Sequence, residues 1–550
     1  MADKPLHIQV AEQIQSGAYS AAQQALEAWL HHSPSDTLAL NLLCKLADRN
    51  GDYAHAAEWL CRTLEVDPTN HRAYCFLGYV MCKLGQFEAG LECYDKAIAA
   101  CADQAAYFCE RAAALAQLGR DSLAVADYEK ALALDPTDAH ALAYLGTSLQ
   151  RLGDLHRAIA CFDQAISFDS QCVAAYLNRG NAHLQQQTFS RALADYDQAI
   201  ALQPDHALAY ANRAAALKQL HRLDESLQSS DRAIALNPQF EEARFNKSLT
   251  QLLRGDLVEG FRGYQARWQT PAFAPIKRTF HQTMWLGESH IRDKRLFVHN
   301  EQGFGDSIQF CRFVSLAARV GAQVIYEVEA PLYDLFQSLE GVHTLIRQRE
   351  PIPDFDLYCP VMSLPIAFNC SLSNLPAQSH YLRASADKLA QWGARLGPRE
   401  GPRIGLVWSG NPTHKADQQR SIALEVFLDA LAPHLQYFSL QKDLRIRDQD
   451  ALERAHIRHF GSDLADFSDT AALCAHMDLI IAVDTSVAHL AGALGVPTWL
   501  LLPHLPDWRW LLGREDSPWY PGVRLFRQKT AAEWGPVLGE VRQSLATLGL

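Results

Sequence analysis

The chain has 550 residues, 48% hydrophobic and 20% charged, with a formal net charge of -12. That length exceeds one hydrophobic core and points to about three units, and the acidic balance disfavours nucleic acid, whose phosphates demand basic surface. With no run of eighteen apolar residues, no apolar leader core at the start and thirteen scattered cysteines, the expectation is a cytoplasmic protein with reduced thiols and no zinc site or disulfide framework.

A spacing of 34 organises the first half. Gly17, Gly51, Gly85, Gly119, Gly153 and Gly255 share one phase, with Gln187 and His221 in the same slot; Pro34, Pro68, Pro136, Pro204 and Pro238 share another. Small residues recur at Ala56, Gly90, Ala124, Ala158 and Ala192, where two helices must approach. Tyr94, Tyr128, Phe162 and Tyr196 recur in a further phase. A unit of this length is a helix pair that cannot bury its own apolar face, so neighbours stack into an α-solenoid. The pattern resembles the tetratricopeptide repeat, which implies seven full repeats and a shorter eighth over residues 1–268, with an inner surface that binds a peptide or protein.

Asn178, Asn212 and Asn246 fall in one phase of three consecutive repeats, each followed by a base: Arg179, Arg213 and Lys247. An amide carries both donors and an acceptor, so such a ladder suits a peptide backbone; asparagine is also an ordinary occupant of this slot. O-linked N-acetylglucosamine transferases join similar repeats to a GT-B catalytic half and use an asparagine ladder, and the resemblance implies acceptor binding by these three. Leu42, Phe76, Glu110 and Tyr144 take the slot in earlier repeats.

Periodicity ends after Trp268, and Pro271 and Pro275 mark residues 269–294 as a linker. Residues 295–392 read as a first Rossmann-like half: a strand at 295–300, the turn Glu301-Gln-Gly-Phe-Gly-Asp306, a helix at 307–318, and short strands near 324–328, 343–346 and 357–361. Two glycines without a third do not make a dinucleotide fingerprint, so no NAD is inferred. Asp306 reads either as the cap of its helix or as a carboxylate able to take the proton of an attacking hydroxyl; Glu301 and His299 share that edge and rank lower.

A linker at 393–402 leads to a second half, 403–550. Its first strand runs into Ser409-Gly410 and a polar, basic loop holding Asn411, Lys415 and Arg420. Small residues followed by two cations suit a diphosphate; the alternative is a solvated loop. Gln441 and Lys442 end the next strand, within reach of a donor base. Residues 479–497 then read as strand, turn, helix and stop. Asp484, Thr485 and Ser486 supply cap chemistry at a helix N-terminus that offers free N–H groups to an anion, and His489 lies on its first turn. The aromatic tail includes Trp508 and Trp510, which read as core, interface or the lining of a sugar pocket. A closing helix at 531–548 is expected to cross back to the first half. Asp354 with Asp356 and Asp448 with Asp450 lie away from the predicted edge, so no metal is expected.

Asp484-Thr-x-x-x-His-Leu-Ala-x-Ala-Leu-Gly495 resembles the nucleotide-diphosphate motif of bacterial heptosyltransferase-type enzymes, and Gly305-Asp306 resembles their first loop. The resemblance implies a GT-B fold of two Rossmann-like halves. Thr485, Ser486 and His489 would hold the donor's phosphates, Asp484 would orient them or meet the ribose or sugar, Arg420 (or, second, Lys415) would be the basic partner, and Asp306 the general base. In layout the chain is similar to O-linked N-acetylglucosamine and flagellin glycosyltransferases. The expected function is an inverting, metal-independent glycosyltransferase that moves sugar from a nucleotide-sugar, its substrate rather than a cofactor, to a Ser or Thr of a recruited protein. The rivals are an interaction scaffold with an inactive GT-B half and a lipopolysaccharide heptosyltransferase-like enzyme.

Overall fold

A computed structural model describes residues 6–547; the expected leaderless start at residues 1–5 and the last residue of the expected closing helix, Leu548, lie outside them. The described residues form two compact units, divided between Leu220 and His221.

The first unit is a stack of helices, beginning with Leu6–Gln15 and ending with Ala207–Gln219. Their starts are capped where the sequence offers it: Asp36, Asn70 and Asp138 accept backbone N–H groups of the following turn. The slot shared by Gly17, Gly51, Gly85, Gly119 and Gly153 is left-handed, with φ between 71° and 85°. Gln187 takes the same conformation at φ 60°, a geometry that a side chain disfavours. Ala56, Ala124, Ala158 and Ala192 are fully buried, and Tyr94, Tyr128, Phe162 and Tyr196 are buried as well. Close approach is built in elsewhere too: a Cβ on Gly146 would lie 2.6 Å from Phe162, and one on Gly180 2.6 Å from Tyr196.

The second unit opens with three helices, Leu223–Leu236, Glu241–Arg254 and Leu257–Gly263, and a 3-10 turn, Tyr264–Gln269. The division between the compact units thus falls at 220/221, inside the expected repeat array of 1–268. Leu252, Leu253, Leu257, Phe261 and Tyr264 bury their side chains in the same core as the sheets that follow, so these helices belong physically to the α/β unit.

That unit contains two parallel sheets. The first consists of β1 (Thr283–Met284), β2 (Arg295–His299), β3 (Gln323–Val328), β4 (Val342–Arg347) and β5 (Leu357–Pro360), in the order β1-β5-β2-β3-β4. The second consists of β6 (Arg403–Val407), β7 (Gln436–Ser439), β8 (Arg458–His459), β9 (Leu479–Val483), β10 (Thr498–Leu502) and β11 (Val523–Arg527), in the order β11-β10-β9-β6-β7-β8. Numbered within the sheet this is the doubly wound 3-2-1-4-5-6 order, in which a crevice opens where the order reverses. Here that point lies between β6 and β9. Helices on both faces leave β6, β9 and β10 buried throughout, as their continuous apolar runs require.

Four expectations change. The 269–294 linker contributes the edge strand β1 and the buried Trp285, whose backbone N–H donates to the Tyr358 carbonyl at 2.8 Å. The boundary at 392/393 cuts the helix Ala386–Leu396, which Asp469 holds through Trp392 Nε1 at 3.0 Å and Lys388 Nζ at 2.6 Å. The strand β11 was not expected. The closing helix, Gly535–Thr547, does not return to the first sheet; Val537, Leu538, Val541 and Leu545 join a core with Trp499 and Phe526 of the second.

Candidate functional site

Two loops flank the reversal between β6 and β9. After β6, Gln441 Oε1 accepts the N–H groups of Trp408 at 3.1 Å and Ser409 at 3.0 Å, and its Nε2 donates to Ser409 Oγ at 3.1 Å. Both residues are buried. Gln441 is thus turned inward and holds the end of the strand instead of meeting a base. Lys442 also points elsewhere, with Nζ donating to the Ala465 carbonyl at 3.2 Å. Asn411 folds back on Thr413 in a local turn, and Lys415 is exposed on the same loop.

Arg420 is the cation that reaches the crevice. Its Nη1 donates to the Asp484 carbonyl at 2.8 Å, its buried Nε has no partner, and its guanidinium covers Gly410, where a Cβ would lie 2.7 Å from Nη2. The loop is pinned from behind by Arg445, whose Nη2 donates to Asp417 at 2.5 Å, Ser421 Oγ at 3.1 Å and the Gly410 carbonyl at 3.1 Å.

After β9 the chain passes Asp484 and Thr485 into the helix Ser486–Leu494, which ends at the left-handed Gly495. Thr485 Oγ1 is buried and unpartnered, and the first N–H groups of the helix open at the same place. His489 is buried, its Nδ1 2.9 Å from Tyr520 Oη, its Nε2 3.9 Å from Asp484 Oδ1, its ring stacked on Trp510 at 5.3 Å. Burial, reinforced by Arg509, Arg312 and Arg420, holds this imidazole well below its ordinary pKa. Burial pushes the Asp484 carboxyl up to about 6, with Asp507 adding to the shift and Arg420 opposing it.

Facing it, the helix Phe304–Arg319 starts at the carboxyl end of β2, three residues earlier than its expected start at 307. The two helices pack together, and a Cβ on Gly305 would lie 3.0 Å from His489 Cδ2 and 3.5 Å from Ser486 Cα. Asp306 lies in the first turn. Its Oδ2 accepts the Gly303 N–H at 3.0 Å, while Oδ1 is ion-paired with Arg509. Arg509 also donates to Asp507 at 2.8 Å and to Gln309 Oε1 at 2.6 Å. Burial raises the pKa of Asp306 and Arg509 opposes the rise. Asp306 thus caps its helix from within the first turn and is ion-paired at the same time.

Arg420, Asp484, Thr485, Ser486, His489 and Asp306 come together; Ser409 and Gln441 frame them, and Asn411, Lys415 and Lys442 do not join. Arg509, Asp507, Tyr520 and Arg445 were missed. The available signal was Asp507 and Arg509 alternating with Trp508 and Trp510, since charges inside an aromatic run need buried partners. Trp508 packs in the core on Phe261, Phe310 and Trp519, and Trp510 backs His489. Asp356 is held by Arg295, and Asp448 accepts from Trp408 Nε1 and the Leu424 N–H.

In the first unit Asn178 Nδ2 donates to Thr147 Oγ1 at 3.1 Å, and Asn212 Nδ2 to Asn181 Oδ1 at 3.0 Å. These amides bond sideways to the preceding repeat. Their neighbouring bases are engaged as well: Arg179 with Asp163 and Asp195, Arg213 with Asp197. Asn246, in the second unit, is exposed, and Lys247 pairs with Asp231 at 2.5 Å.

The tetratricopeptide-repeat model matches residues 12–71, 82–139, 145–207 and 180–239, and a second model of the same description matches 127–160. The helical array is made of tetratricopeptide repeats. Protein FlbA of Caulobacter vibrioides is 27% identical over 336 residues, covering 55% of this chain and 54% of its own; the chain thus spans about half the length of the curated relative it matches. Among solved structures, YrrB, described as a tetratricopeptide-repeat protein with an unusual peptide-binding site, is 24% identical, covers 34% of this chain and 96% of its own, and superposes with a TM-score of 0.30. A tetratricopeptide-repeat protein from Parabacteroides merdae is 17% identical, with 45% and 97% covered and a TM-score of 0.38. Among the described residues no helix is long and apolar enough to cross a membrane.

Proposed function

We propose that the α/β unit is a GT-B glycosyltransferase that moves a sugar from a nucleotide-sugar to a hydroxyl, on a Ser or Thr of a protein recruited by the repeats. The observation that carries this reading is the meeting of two helix N-termini, at Phe304 and Ser486, from the carboxyl edges of two parallel sheets. A carboxylate stands on one side and a partly unsatisfied arginine on the other. The acceptor oxygen attacks the anomeric carbon as its proton passes to Asp306, and the bond to the phosphate oxygen breaks with its electron pair leaving on the nucleoside diphosphate. Arg420, Thr485 Oγ1 and the N–H groups of the Ser486 helix neutralise that charge, so the mechanism needs no metal. His489, held neutral, serves as a hydrogen-bonding partner.

The rival is a protein-interaction scaffold, favoured by the repeats and by the pairing of Asp306 with Arg509. Calorimetric titration with UDP, GDP, ADP, dTDP and CMP and their sugars separates the two. The transferase binds one of the nucleotides, and Arg420→Ala weakens that binding by about tenfold or more, as expected for loss of a charged hydrogen bond. If none of the set binds, the scaffold reading takes its place.

A further inference from the structure

The first sheet has its own reversal point, between β2 and β5, and the loops that follow those strands hold Glu301 and Ser363. In an open parallel sheet this crevice is where a ligand sits. Here a side chain of the preceding helical segment fills it. Arg267 is fully buried and Glu301 almost so. Arg267 Nη2 donates to Glu301 at 2.9 and 3.0 Å and to Ser363 Oγ at 2.8 Å, Nε donates to Glu301 at 3.2 Å, and Nη1 to the Tyr264 carbonyl at 3.1 Å. Glu301 Oε1 also accepts the Met362 N–H at 3.1 Å, so one carboxylate ties both loops of the crevice to the helical segment. One residue on, Gln302 shares two hydrogen bonds with the hydroxyl of buried Tyr264, at 3.0 and 3.2 Å. Glu301 and Gln302 immediately precede Gly303, whose N–H holds Asp306.

We infer that Arg267, with Tyr264, is a positioning element: through Glu301 and Gln302 it sets the turn that aims Asp306, making the segment behind the last helices part of the site. This rests on the proposed role of Asp306 only where turnover is concerned; the placement of the turn is a separate matter. A buried carboxylate that accepts four hydrogen bonds, three of them from one guanidinium, leaves the loop no second arrangement of similar energy, whereas the lysine of an Arg267→Lys variant offers a point charge without the fork that reaches Glu301 and Ser363 together.

The test uses the full chain and the variants Arg267→Lys, Glu301→Gln and Tyr264→Phe, with Asp306→Asn as reference. Hydrogen exchange is read peptide by peptide, and release of nucleoside diphosphate from the sugar donor that binds is read as turnover. Exchange is expected to rise in residues 300–307 and 361–363 while β9, β10 and the repeats keep their protection. Donor binding is expected to stay within about twofold, since Arg420 and the Ser486 helix are untouched, and turnover to fall by about 10²-fold, the effect of a misplacement of about 1 Å. Tyr264→Phe removes one hydroxyl without an unpaired charge and gives the same local pattern more weakly if the arginine variants fail to fold. Uniform loss of protection, or unchanged exchange at 300–307, overturns the positioning role. Local loosening in a protein that turns over no donor upholds the clamp and overturns the transferase reading instead.

Discussion

Arg509 and Asp306, separated by 203 positions in sequence, form an ion pair that joins the aromatic loop after β10 to the first turn of the Phe304–Arg319 helix. Asp507 shares the same guanidinium, so one buried cation balances two carboxylates. Arg509→Met leaves the half-buried Asp306 uncompensated, which is expected to cost about 3 kcal/mol, the low end for a broken buried pair. The double variant Arg509→Met with Asp306→Asn is expected to regain most of that. Denaturant unfolding of the four proteins in the cycle measures the coupling; additive losses would mean that the pair contributes nothing beyond its separate parts.

Asp484 provides a pH signature. Its folded pKa is raised to about 6 from an ordinary 3.8, so below about pH 4 both folded and unfolded forms are protonated and no penalty exists. As pH rises through this window the unfolded carboxyl ionises first, and stability falls until the folded group ionises as well, by at most about 3 kcal/mol. Asp484→Asn removes the penalty and keeps the carbonyl that Arg420 grips. Its melting temperature relative to the parent protein should climb from pH 4 to pH 6 and then level off; a constant difference across that range would contradict the assignment.

Gln187 occupies a left-handed slot that glycine fills in the preceding repeats. Gln187→Gly is expected to stabilise the protein by about 1 kcal/mol, the usual cost of that conformation for a residue with a Cβ. Gln187→Ala, which keeps the Cβ, should stay close to the parent. Melting temperatures of the two variants decide the matter, and equal values would point away from backbone strain.

The asparagines divide by what they touch. Asn212→Ala loses the bond to Asn181 and should lower stability by about 1 kcal/mol, whereas exposed Asn246→Ala should fall within about 0.5 kcal/mol of the parent. Urea midpoints are the readout. If both are neutral while a bound peptide is lost, the ladder works as an acceptor surface after all.

Gly410→Ala tests the crevice from its floor. The added methyl would meet the Arg420 guanidinium at 2.7 Å and push it off the Asp484 carbonyl. Nucleotide affinity should fall as it does in Arg420→Ala, with little change in melting temperature. Unchanged affinity would remove Arg420 from the phosphate site.

What was legible in the chain alone was whatever repeats or caps locally: the 34-residue phase and its glycine slot, the buried strands β6, β9 and β10, and the strand-turn-helix of residues 479–497. Period, propensity and capping act over a few residues, so they survive without knowledge of the fold. The division between the repeats and the α/β unit and the strands β1 and β11 were less legible because neighbouring elements complete them. Only the tertiary structure decided that Gln441 turns inward, that Arg267 fills the first crevice, that Asn212 bonds sideways and that Arg509 answers Asp306. A polar side chain takes the partner its burial demands, and that partner is supplied by loops tens to hundreds of residues away.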